Sequence, residues 1–134
     1  MYASARRAYE SATKASDSGR ELEAAALYKA ARLLESCIHG WDAPDRERRL
    51  DEALRYDQRL WTFFQGELAA DDCLLPTPLR VNLLKLSAFI DRRVLEMTAA
   101  PTPSGLRALV DINRQVAAGL SVSTPPRAAG DRAA

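Results

Sequence analysis

From residue 50 to 68, LDEALRYDQRLWTFFQGEL, the residues Leu50, Ala53, Leu54, Leu60, Trp61, Phe64 and Leu68 fall at three- and four-residue steps. That spacing is the 3.6-residue period of a helix with one buried face. Asp57 stands in the same stripe, where the pattern calls for a hydrophobe. Similar stripes recur along the 134-residue chain, each ended by Pro or Gly, and no alternating strand pattern competes with them. The reading is all-α: a single-domain up-down bundle of four main helices plus a short N-terminal helical segment.

The breakers divide the chain. A first helix is expected from about Ser18 to Ile38, with Asp17 or Ser18 as its N-cap and Gly40 beyond its end. It carries two adjoining stripes: Leu22, Ala26, Ala30, Leu33 and Cys37, then Leu27, Ala31, Leu34 and Ile38. A second helix should begin near Asp42-Ala43-Pro44 and run to about Ala70, through Gly66, a residue that costs about 1 kcal/mol against Ala inside a helix. Pro76-Thr77-Pro78 opens a third, to about Met97, expected to bury Leu79, Leu83, Leu86, Ile90 and Val94. Pro101-Thr102-Pro103-Ser104 reads as a stop and then an N-cap at Ser104, with a fourth helix to about Leu120. The bundle domain is thus placed at 1–121. Residues 122–134, rich in Pro and Ala and without period, are expected to be a disordered tail.

Asp57 has a counterpart. Asn113 sits between Leu109/Val110 and Val116/Ala117 on the fourth helix, so two helices each carry a short polar side chain on the apolar face. A buried carboxylate without a partner costs several kcal/mol. Three readings stay open: a hydrogen-bonded polar contact that fixes register, a boundary position reaching water or Arg92, Arg93 or Arg114, and a partner-binding role. Asp57, Trp61 and Asn113 form the expected structural polar core.

Composition removes several functions. Basic and acidic residues nearly balance, 19 against 18, and the arginines at 46, 48 and 49 are interleaved with Asp45, Glu47, Asp51 and Glu52. Little net positive field remains for phosphates, so direct nucleic-acid binding is not expected. No run of about 18 apolar residues could span a bilayer and no signal peptide is evident, so a cytoplasmic protein without membrane contact is expected. An enzyme needs a constellation; here a single His39 is expected in a connection, and Cys37 and Cys73 match no metal or redox spacing. No catalytic residue, metal site or cofactor is expected.

Several stretches carry a resemblance. The opening MYASARRAY, SGRELE, RYDQRLWTFF, LLPTPLRVNLLKLSAFI and the closing ALVDINRQVAAGL together resemble the flagellar biosynthesis regulator FlaF family over about residues 2–120. In that family pattern an Asn commonly stands where this chain has Asp57; the change keeps shape and acceptor and loses the amide donor. Ile112-Asn113-Arg114 follows the pattern. The resemblance implies a cytosolic bacterial protein that binds new flagellin, supports its secretion and couples its synthesis to assembly, alongside the translational regulator FlbT. A layout of Ala8-Tyr9, Gly19-Arg20-Glu21-Leu22-Glu23 and Leu27-Tyr28 is also similar to the flagellin export chaperone FliS, a bundle whose N-terminal segment covers its client surface.

Flagellin's terminal segments are amphipathic, so such a partner must be met by an apolar helical groove. The residues expected to bind flagellin are Tyr2, Tyr9, Leu22, Leu27 and Tyr28, with residues 2–12 as a displaceable lid. Two alternatives are kept: a post-transcriptional regulator of flagellin mRNA acting with FlbT, and a generic helical interaction module.

Overall fold

A computed structural model describes residues 16–123. Tyr2 and Tyr9, the short N-terminal helical segment and nearly all of the tail lie outside the described residues. Four helices follow one another: α1 Ser16–His39, α2 Arg46–Ala69, α3 Thr77–Ala99 and α4 Pro103–Ser123. Short connections and the residue pairs that meet make consecutive helices antiparallel. Glu35 of α1 meets Arg107 and Arg114 of α4, Arg80 of α3 reaches the Leu68 carbonyl of α2, and Arg93 of α3 reaches the Gly105 carbonyl.

Within α2, Leu50, Ala53, Leu54, Asp57, Trp61, Phe64 and Leu68 are the buried residues, one continuous stripe. In α1 the core takes Ala24, Leu27, Ala30, Ala31, Leu34 and Cys37, whereas Leu22 is 72% exposed. Thus the Leu27–Ala31–Leu34 stripe faces inward and most of its neighbour only borders the core. The most extensive interface is α1 against α4. Small buried residues, among them Ala24, Ala31 and Ala117, let these two helices approach closely. Glu35 ties the same pair through Arg107 at 3.0 Å and through Arg114. The Arg107 hydrogen bond, helped by Arg114 and opposed by partial burial, holds the Glu35 carboxyl below the usual carboxylate range.

Two details differ from the sequence expectation. Pro103 is the first residue of α4, and Thr102, not Ser104, is its N-cap: Thr102 Oγ1 accepts from the Gly105 N–H at 3.0 Å. Proline at the first helical position explains the choice, because its missing N–H falls among donors that lack partners there anyway. In α2, Pro44 lies in the turn before the helix, which begins at Arg46.

The larger difference is in α3. Its buried residues are Ser87, just before its midpoint, and Ile90, Val94 and Met97 in its second half. Leu79 is 45% and Val81 39% exposed, and Leu83 and Leu86 are only half-buried. The α3–α4 interface is the smallest in the bundle. It is concentrated near the short 100–102 connection, where Met97 Sδ accepts from the Thr102 N–H at 3.5 Å. The first half of α3 therefore packs on α2 without closing onto α4, and that end of the bundle stays open.

Candidate functional site: an apolar groove above a buried polar chain

The open end is a groove of about 700 Å³. Trp61, Phe64 and Leu68 of α2 form its floor, with Val116 and Leu120 of α4 on one side. Leu74 and Leu75 of the connection and Leu83 of α3 stand on the other, and Gly19, Arg20 and Glu23 of α1 close the end. A smaller hollow of about 310 Å³ adjoins it, lined by Leu22, Ala26, Leu60 and Phe63. Phe63 is 56% and Leu74 75% exposed, so the rim offers large apolar side chains to solvent. Such a cluster marks an interaction surface more strongly than scattered single residues do.

Beneath the floor runs a buried chain of hydrogen bonds. The Trp61 indole Nε1–H donates to Asn113 Oδ1 at 2.8 Å, and Asn113 Nδ2 donates to Asp57 Oδ1 at 2.9 Å. Asp57 and Asn113 are wholly buried and Trp61 is 1% exposed. Among the described residues Asp57 has no arginine partner: Arg114 is on Glu35, and Arg93 is on Glu96 and the Gly105 carbonyl. Its Oδ2 is buried without a hydrogen-bond partner. Burial, offset only in part by the Asn113 hydrogen bond, leaves the Asp57 carboxyl raised to about 7. Near neutral pH a large share of Asp57 is therefore uncharged.

Of the residues expected to bind a partner, Leu22 borders the smaller hollow and is well exposed. Tyr28 is 37% exposed but does not line the groove. Leu27 is 0% exposed inside the core, so in this state it has no surface to offer a partner; its stripe faces α4 rather than solvent. The sequence reading missed Phe63, Leu74, Leu75, Glu23 and Glu67. For Phe63 a signal was present: it lies off the stripe defined by Asp57, Trp61, Phe64 and Leu68, and is therefore an aromatic turned outward.

Among the described residues no group of three His, Cys, Asp or Glu side chains is placed to hold a metal ion. Cys37 is buried and Cys73 half-buried, both as free thiols. No helix in the described part is long and apolar enough to cross a membrane.

Comparison with curated proteins and with solved structures returned no match. The family model described as flagellar protein FlaF matches residues 5–120, nearly the whole bundle. The chain belongs to the FlaF family of flagellar proteins.

Proposed function

We propose that this protein binds newly made flagellin in the cytoplasm, holding an amphipathic terminal segment in the groove at the open end of the bundle. It thereby supports flagellin secretion and couples flagellin synthesis to flagellar assembly. The observation that carries the reading is the apolar groove of about 700 Å³, rimmed by exposed Phe63 and Leu74, in a chain of a flagellar family. A helix laid in such a groove is read through apolar anchors at three- and four-residue steps, the pattern an amphipathic terminal segment supplies.

Control of translation, on this view, passes through a protein partner such as FlbT rather than through contact with RNA. Arg48 is paired with Asp45 and Glu52, Arg49 with Asp45, and Arg55 with Asp51. These exposed pairs leave little free positive charge on α2 for a phosphate backbone.

The test is a titration of purified protein against monomeric flagellin, read by calorimetry and by size-exclusion light scattering. A stoichiometric complex is expected, and Phe63→Asp or Leu74→Asp should weaken it at least about tenfold, the effect of a lost apolar anchor, with unchanged helical circular dichroism. Absence of a complex, or full affinity in both variants, would refute the reading.

A further inference from the structure

The groove is apolar except along one edge. There Glu23 of α1 and Glu67 of α2 bring their carboxyls together, and Asp72 of the connection adds a third acid to the lining. Arg20 is the one base among the described lining residues, and it has an interaction of its own. Arg80 of α3 is directed to the Leu68 carbonyl at 3.4 Å, and α4 presents only Val116 and Leu120. The edge is thus acidic in excess.

Desolvation first, and then the hydrogen bond and the charge of the adjoining Glu23 carboxyl, together raise Glu67 to about 7. Two carboxyls in contact are held together by a shared proton, because both cannot be charged without repulsion. A purely apolar occupant would desolvate this pair without a partner, and an anionic one would be repelled. A cation relieves the repulsion and takes the place of the proton.

We propose that the groove takes an amphipathic helix carrying a Lys or Arg at the border of its apolar face, with the cation seated between Glu23 and Glu67. This rests on the groove being the partner site, and it adds the chemistry of the segment recognised. Seating the cation drives the shared proton off, so binding tightens as pH rises toward 7 and levels off above it. The groove then distinguishes amphipathic helices by one charge at one position.

The probe is a set of amphipathic helical peptides, identical except that a single Lys is walked along the border positions of a Gln-containing parent. Affinities are measured by calorimetry with the full chain at pH 5.5 and pH 8. One Lys position should bind about fivefold tighter than the parent at pH 8, the upper range for a partly exposed ion pair, and less than about twofold tighter at pH 5.5. Glu67→Gln and Glu23→Gln should each remove the gain, so that the Lys peptide and the Gln parent bind the variant alike at both pH values. Asp57→Asn, which deletes a buried group that titrates in the same range but faces away from the groove edge, should preserve it.

Parent binding that Phe63→Asp abolishes, with no Lys position better than Gln, overturns the cation anchor and leaves the groove reading standing. Parent binding that Phe63→Asp leaves unchanged, or no binding at all, overturns both. Dimerisation abolished by Phe63→Asp would make a second copy the occupant. Peptide binding that appears only when residues 1–14 are deleted would make this chain's own N-terminal segment the occupant. Either result overturns the proposal.

Discussion

Replacing Asp57 with Asn separates the charge of the buried slot from its shape. In the folded chain the carboxyl is wholly buried, with one hydrogen bond from Asn113 and a second oxygen that has none. Burial moves it from 3.8 to about 7. In the unfolded chain it titrates near its ordinary value of about 3.9. Between those limits the folded chain binds more protons than the unfolded one, so stability falls as pH rises from about 4 to about 7. Above 7 the loss is complete. The gap between 3.8 and about 7 corresponds to at most about 4 kcal/mol.

Asparagine keeps an acceptor for Asn113 and puts an amide NH₂ where the unpartnered oxygen was. An orphan donor of that kind costs about 1–3 kcal/mol. At pH 8 the variant should therefore be more stable by about 1–3 kcal/mol, a rise of about 1 M in the urea midpoint for a domain of this size. At pH 5 the wild-type carboxyl is protonated and its own O–H lacks a partner, so the advantage should vanish. The assay is urea unfolding followed by tryptophan fluorescence at pH 5 and pH 8. It is done in a Glu67→Gln background, because Glu67 is also raised to about 7 and gives a slope of the same sign. A variant less stable than its parent at pH 8, or a parent midpoint that is flat from pH 5 to 8, would refute the reasoning.

Thr102→Ala removes the hydroxyl that caps α4 through the Gly105 N–H; a loss of about 1 kcal/mol is expected, read as a drop of a few degrees in Tm. Gly105→Ala would place a Cβ 2.4 Å from Met97 Cε and 2.5 Å from its Sδ, inside contact distance. It should cost about 1–2 kcal/mol in urea unfolding, and Met97→Ala in the same chain should relieve part of that cost, so that the two changes are less than additive.

How much of this was legible depends on which neighbour each helix has. The α2 stripe could be read residue by residue, because that helix buries one narrow face along its length, from Leu50 to Leu68. In α1 two adjoining stripes compete, and nothing local says that α4 will sit on the one containing Leu27. In α3 the apolar spacing continues through Leu79 and Leu83, but α4, whose Val116 and Leu120 stand across the groove, does not close onto them. Periodicity reports which residues share a face, not whether a neighbour reaches it. The α4 cap was open to local reading, since Pro103 at the first helical position leaves Thr102 as the N-cap.

For the groove the same logic applies in reverse. Phe63 and Leu74 are prominent because they are apolar outside the stripes, a signal already present in the sequence once the stripes are drawn. Leu22, by contrast, shares a stripe with buried Ala30 and Cys37 and is exposed only because, among the described residues, no neighbour covers that end of it. The Glu23–Glu67 contact is different. It joins residues on separate helices, and only the packing of α1 against α2 brings them together. The breach at Asp57 could be seen, and so could its counterpart at Asn113. That Trp61 joins them by its indole N–H depends on the diagonal separation of α2 and α4, which share no close backbone approach among the described residues.

That diagonal suggests what the polar chain does for the groove. Trp61 is both the end of the hydrogen-bonded chain and part of the groove floor. Its ring meets Phe64 edge-on, centroids 5.5 Å apart and planes at 82°. If burial of apolar surface were the only demand, leucines at 57 and 113 would serve stability as well, since a buried polar group is often replaced without loss. They would not hold the indole. Asn113→Leu alone should cost about 2–6 kcal/mol at pH 8, because it leaves both the Asp57 carboxyl and the Trp61 indole N–H without a partner. Asp57→Leu with Asn113→Leu should regain the carboxyl's share of that, leaving only the unpartnered indole N–H at about 1–3 kcal/mol. The double variant, although folded, should still bind a groove-directed peptide more weakly than the wild type, because the floor ring is no longer fixed in rotation. Equal affinity in the two proteins would mean that Phe64 and Leu68 set the floor by packing alone, and that the Asp57–Asn113–Trp61 chain serves the bundle and not its partner.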